Sequence, residues 1–133
     1  MRKVLGAIGC LLLLVMRAPA HAEQYPAKVI TIIVPYSASG PTDTIARLLA
    51  KSMSGPLKTQ LIIENVEGAG GTIATARAAS SAPDGYTLFI HHIGLSTAPS
   101  LYRKLTYDPQ KDLEPIGQVG DVAMALVARK DFP

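Results

Sequence analysis

The sequence predicts an α/β fold, a mostly parallel sheet flanked by helices. Three observations carry this expectation: short β-branched runs alternate with helix-period segments, glycine-bearing loops follow the first two runs, and the strand, loop, helix order then repeats.

The first strand is expected over 28–34, where Lys28-Val29-Ile30-Thr31-Ile32-Ile33-Val34 lies between Pro26 and Pro35. A loop, Tyr36-Ser37-Ala38-Ser39-Gly40, leads to Pro41, which suits a first helical turn because its missing N–H has no partner there to lose. Ile45, Leu48 and Leu49 recur at helical spacing, and Gly55-Pro56 is read as the stop. A second strand is expected over 61–64. It leads into Gly68-Ala69-Gly70-Gly71 and then an alanine-rich helix over 72–80. Pro83-Asp84-Gly85-Tyr86 is a turn before a third strand over 87–90. Beyond it we expect a short helix over 96–103, a turn at Tyr107-Asp108-Pro109, a further strand over 115–119 and an apolar segment over 122–127.

The chain opens differently. Arg2 and Lys3 precede an apolar run from Val4 to Met16 and the small-x-small pattern Ala20-His21-Ala22, which together read as a signal peptide over 1–22 cleaved before Glu23. The run falls short of the roughly 20 apolar residues that span a bilayer. A lipoprotein box ending at Cys10 fits poorly, since the apolar run continues past it. Arg2, Lys3 and Arg17 supply the formal excess of +3, so residues 23–133 balance basic against acidic side chains. That neutrality removes the case for nucleic acid or an anionic membrane surface as partner, and no membrane span is expected after cleavage. Cys10 is the only cysteine, so no disulfide is expected after export.

Parallel strands joined by helical crossovers bring both glycine loops to one sheet edge, where ligands bind in this class of fold. Glycine lets a ligand approach the backbone closely, and the N–H groups of a helix start attract anions, so either loop suits a carboxylate or phosphate. Plain turn chemistry explains the same glycines, and both readings stand at this point. Asp43, near the first helix start, opposes a bare anion unless it orients waters or backbone donors; it is also a favourable charge in a first helical turn.

Enzyme signatures fit poorly. From Gly68 and Gly70 the third glycine of a dinucleotide fingerprint falls on Ile73, neither loop ends in Gly-Lys-Ser/Thr, and Ser39 lacks a G-x-S-x-G frame. His91 and His92, if in a strand, point to opposite faces and do not chelate one metal together, although either is placed to line the cleft. No cofactor or catalytic residue is assigned.

The segments Tyr25-Pro26-x-Lys28, Ile32-Ile33-Val34-Pro35 and Gly40-Pro41-Thr42-Asp43-Thr44-Ile45-Ala46-Arg47 resemble the opening of tripartite tricarboxylate transporter substrate-binding proteins, the Bug-type receptors. Glu64-Asn65 before Gly68-Ala69-Gly70-Gly71-Thr72-Ile73, then Pro83-Asp84-Gly85-Tyr86-Thr87-Leu88, and Leu101 to Pro109 with Lys111-Asp112-Leu113, continue the resemblance in order.

The resemblance implies a periplasmic-binding-protein type II-like fold, of which residues 23–133 form the first part of lobe one, ending near a crossover into a second lobe. It implies a periplasmic receptor that captures a small carboxylated solute for membrane transporter subunits. A ligand sensor for a membrane kinase, or a truncated product without binding activity, are the alternatives. Carried over by position, the ligand loops are Tyr36, Ser37, Ser39, Gly40, Pro41, Thr42 and Asp43, then Gly68, Ala69, Gly70, Gly71 and Thr72. The segment 90–97, with His91 and His92, forms a third wall that varies with ligand. Ser39-Gly40 stands where many relatives have two glycines, and Val66-Glu67 where many have Arg-Pro. A half-clamp of this kind is expected to expose apolar surface and an unpaired strand edge.

Overall fold

A computed structural model describes residues 24–121, 123, 125 and 127–131. The expected signal segment 1–22 and its cleavage site lie outside them, as do alternate residues of the apolar 122–127 segment.

Three strands, β1 (Ile30–Val34), β2 (Leu61–Asn65) and β3 (Thr87–Phe89), form a parallel sheet in the order β2-β1-β3. Ile30 pairs with Leu61 and Val34 with Asn65 on one side of β1; Thr31 pairs with Thr87 and Ile33 with Phe89 on the other. Central in the sheet and with helices packed on it, β1 is apolar except at the half-buried Thr31. Ile30, Ile32, Ile33 and Val34 are accordingly at most 1% exposed.

Parallel strands require crossovers, and α1 (Pro41–Leu57) and α2 (Thr72–Ala79) supply them; α3 (Gly94–Leu101) follows β3. Because the chain moves from β1 outward to β2 and then back across to β3, right-handed connections place α1 and α2 on opposite faces. Ile30, Ile32 and Val34 pack with Ala46 and Ala50 of α1, with Met53, Leu57 and Leu88 around them. Among the described residues no helix is long and apolar enough to cross a membrane.

The sequence expectations are corrected in four places. Helix α1 runs through Gly55-Pro56 to Leu57: proline has a helical φ, and here it removes one intrahelical donor without stopping the last turn; Lys58, left-handed at φ 52°, closes the helix by donating to the Gly55 carbonyl. Its inward face is Asp43, Ala46 and Ala50, whereas Ile45 is 37% and Leu48 61% exposed. Small residues let the helix approach the sheet closely there, while Met53 and Leu57 pack at the margin of the core. Helix α3 starts two residues before the expected 96. Residues 115–119 form no strand: the segment is exposed, Ile116 most of all, and it pairs with no described strand.

Reversal of strand order beside β1 opens a crevice at the carboxyl ends of the strands. The loops after β1, β2 and β3 all arrive there.

Candidate functional site

The loop after β1 is held from behind. Asp43, 1% exposed, accepts hydrogen bonds from the Ser39 N–H at 2.8 Å, from Arg47 Nε and Nη2 at 2.8 and 3.0 Å, and from Asn65 Nδ2 at 3.0 Å. The Arg47 hydrogen bonds above all, with those from Ser39 and Asn65, lower its pKa to about 2. Its charge is spent on the protein, which removes the objection to a nearby anion. Asn65 Nδ2 also donates to the Tyr36 carbonyl at 2.9 Å, so the end of β2 braces the loop that leaves β1. Ser39 is left-handed, at φ 66°, a conformation glycine adopts without strain.

The loop after β2 turns through four positive φ values in succession, at Gly68, Ala69, Gly70 and Gly71. Gly71 N–H closes the turn on the Gly68 carbonyl at 2.9 Å, and Thr72 begins α2. Gly71 is buried against the third loop: a β-carbon there would stand 2.8 Å from His91 Nε2 and 3.2 Å from Pro35 Cβ. At Gly70 a β-carbon would meet the Tyr102 hydroxyl at 2.5 Å.

The third loop brings His91 and His92 to the same place. This corrects the expectation of opposite faces, which assumed a strand: β3 ends at Phe89, and past it the rings no longer alternate. His92 stacks on Tyr36 with centroids 4.6 Å apart and planes 3° from parallel, while His91 meets Tyr36 edge-on at 5.6 Å and His92 at 5.3 Å. His92 Nδ1 accepts the Gly94 N–H at 3.2 Å. Burial raises the Tyr36 pKa, helped by the nearby Tyr102, so the Tyr36 phenol stays protonated near neutral pH.

Structure thus gathers Tyr36, Gly70, Gly71, His91 and His92 around one crevice. Ser37 and Ser39 lie exposed on the first loop, Gly40, Pro41 and Thr42 start α1, and Gly68, Ala69 and Thr72 flank the second turn; Asp43 lies behind the first loop. Tyr102, which no local pattern singled out, joins them from the end of α3. A shallow depression of about 350 Å³ lies along α1, lined by Ser39 of the first loop and by Asp43, Thr44, Arg47, Leu48 and Lys51.

All three helices begin at this edge; no side chain caps α1 or α2, and at α3 His92 Nδ1 takes the Gly94 N–H. Their first-turn N–H groups, among them those of Thr42 and Asp43, have no intrahelical carbonyl to bond, and their partial positive charge favours an anion. Among the described residues no serine hydroxyl is hydrogen-bonded to a histidine ring, and no three metal-ligating side chains come together.

The tripartite tricarboxylate transporter family receptor model matches residues 45–133. A protein from the TAR-I ttuE-ttuC' intergenic region of Agrobacterium vitis is 46% identical over 110 residues, covering 83% of this chain and 32% of that protein. Among solved structures, the periplasmic binding protein BugD superposes with a TM-score of 0.68 at 48% identity, over 70% of this chain and 31% of that one. MatC from Rhodopseudomonas palustris with bound malate superposes with a TM-score of 0.63 at 45% identity, over 66% of this chain and 30% of that one. The chain therefore spans about a third of the length of these relatives.

Proposed function

We propose, from the premise that this chain belongs to the tripartite tricarboxylate transporter receptor family, that it is a periplasmic substrate-binding protein capturing a small carboxylated solute. The supporting observation is the convergence of three helix starts, those of α1 and α2 without a side-chain cap, and a four-residue positive-φ turn on one crevice. Backbone donors there suit a carboxylate without requiring a cationic side chain. The malate held by a relative of the same fold supports this ligand class.

In this reading residues 1–22 export the chain and 23–133 form the first part of a lobe. The loops 36–43 and 68–72 hold the carboxylate, His91 and His92 line the third wall, and membrane subunits of a tripartite transporter receive the solute. Asp43 acts by fixing the first loop, since its oxygens are occupied by Ser39, Arg47 and Asn65.

Calorimetric titration of the complete gene product with malate, succinate, citrate and benzoate tests the proposal. Binding of at least one of them at micromolar Kd or tighter is expected, about −8 kcal/mol or more favourable. A folded product that binds none of them would overturn it.

A further inference from the structure

The backbone decides the protonation of one ring in the crevice. His91 Nδ1 lies 2.8 Å from the backbone nitrogen of His92 and 3.1 Å from the His92 carbonyl oxygen. The backbone N–H is always a donor, so a hydrogen on Nδ1 would confront it at the shorter of the two distances. Nδ1 therefore accepts, and the neutral ring carries its hydrogen on Nε2.

Nε2 is the atom turned toward the glycine turn, since a β-carbon on Gly71 would stand 2.8 Å from it. No described residue accepts its hydrogen. Among the described residues no buried side-chain nitrogen or oxygen lacks a partner, so the unpaired Nε2 reaches the solvent of the crevice. The ring is held edge-on by Phe89 at 5.3 Å as well as by Tyr36 and His92, which fixes the direction of its N–H. Burial first, then the neighbouring His92, lowers its pKa to about 4, so the ring is uncharged near neutral pH.

We propose that His91, through Nε2–H as an uncharged donor of fixed tautomer, is a specificity-determining residue that requires an oxygen acceptor on the ligand where it passes over Gly71. The inference rests on the receptor reading above and narrows its ligand class. A lysine or arginine at this position would attract any anion by charge. A neutral donor with one direction selects by atom type: carboxylate, hydroxyl or carbonyl oxygen pairs with it, whereas an ammonium or amide N–H leaves two donors face to face and unpaired.

The test uses the complete gene product with 15N-labelled histidine. Long-range 1H–15N spectra at pH 7 should show His91 as the Nε2–H tautomer, and saturation with the tightest binder among malate, succinate, citrate and benzoate should shift its Nε2 resonance. His91→Phe keeps a ring for Tyr36 and removes the donor; it should weaken binding of that ligand at least tenfold. His91→Gln, whose amide nitrogen reaches the Nε2 position, should recover part of the loss. An Nδ1–H tautomer, an Nε2 resonance unmoved at saturation, or a folded His91→Phe variant within twofold of wild type would overturn the inference. If His91→Phe does not fold, the wild-type spectra and His91→Gln decide. Absence of binding to every member of the panel overturns the receptor reading and the inference with it, whereas tight binding indifferent to His91 overturns the inference alone.

Discussion

Asn65 and Asp43 meet across the ends of two adjacent strands, the amide nitrogen of one donating to Oδ1 of the other at 3.0 Å. The same nitrogen holds the Tyr36 carbonyl, so a single side chain from β2 sets the path of the loop that leaves β1. Asn65→Ala should destabilise the complete gene product by about 1–2 kcal/mol, the usual cost of leaving such partners unpaired. It should also weaken carboxylate binding. Urea unfolding and calorimetry read the two effects, and a variant with unchanged midpoint would show that the brace is dispensable.

Acid should loosen the molecule in two steps. His91, lowered from 6.5 to about 4 by burial and then by His92, accepts a proton more readily when unfolded. Its contribution is complete above about pH 6.5 and lost as pH falls toward 4. Asp43, lowered from 3.8 to about 2 chiefly by the Arg47 hydrogen bonds, keeps its contribution above 3.8 and loses it as pH falls toward 2. Urea midpoints measured from pH 7.5 to 4.5 should decline less steeply in His91→Phe than in the wild type. Equal slopes would contradict the assigned burial of the ring.

Gly71→Ala should be more damaging than Gly70→Ala. At Gly71 the new carbon meets Pro35 at 3.2 Å and the packed His91 ring at 2.8 Å, with φ at 94°. At Gly70 it meets the tip of Tyr102, an exposed side chain that can swing away, and φ 61° is one alanine adopts at roughly 1 kcal/mol. Thermal melting of the two variants should rank them in that order.

Ser39→Gly should raise stability by a few tenths to about 1 kcal/mol, the relief of left-handed strain being partly offset by glycine's greater freedom when unfolded. The hydrogen bond to Asp43 uses the backbone N–H and survives the change. A destabilised variant, seen as a lower urea midpoint, would assign the serine hydroxyl a role of its own.

Expression in a Gram-negative host should yield a periplasmic product beginning at Glu23. N-terminal sequencing decides this, and retention of Met1 would count against export by a cleaved signal.

The strands were legible because β-branched runs bounded by proline are a local signal: β1, β2 and β3 fall inside or within one residue of the spans read from sequence. The order of the glycine loops was legible for the same reason. The packing of α1 was not, since helical spacing favoured Ile45 and Leu48 where close approach to the sheet required Ala46 and Ala50. Alternation does not place the histidines, because β3 ends at Phe89, three residues before His92. Tyr102 approaches Gly70 from 32 residues along the chain, and Asn65 reaches Asp43 over 22. Contacts of that range leave no periodicity for a sequence to display.

The central position of β1 has a consequence for how the chain is made. The most apolar strand is the first to emerge, yet one of its partners begins at Leu61 and the other at Thr87, so one edge waits for a segment well downstream and the other stays open until Thr87 to Phe89 have followed. Local helix formation cannot shield it, because α1 gains a surface to pack on only when the sheet exists. Assembly is governed by distant pairing and is slow by that measure. Until then Ile30 to Val34 is the segment at which pairing between two chains would begin.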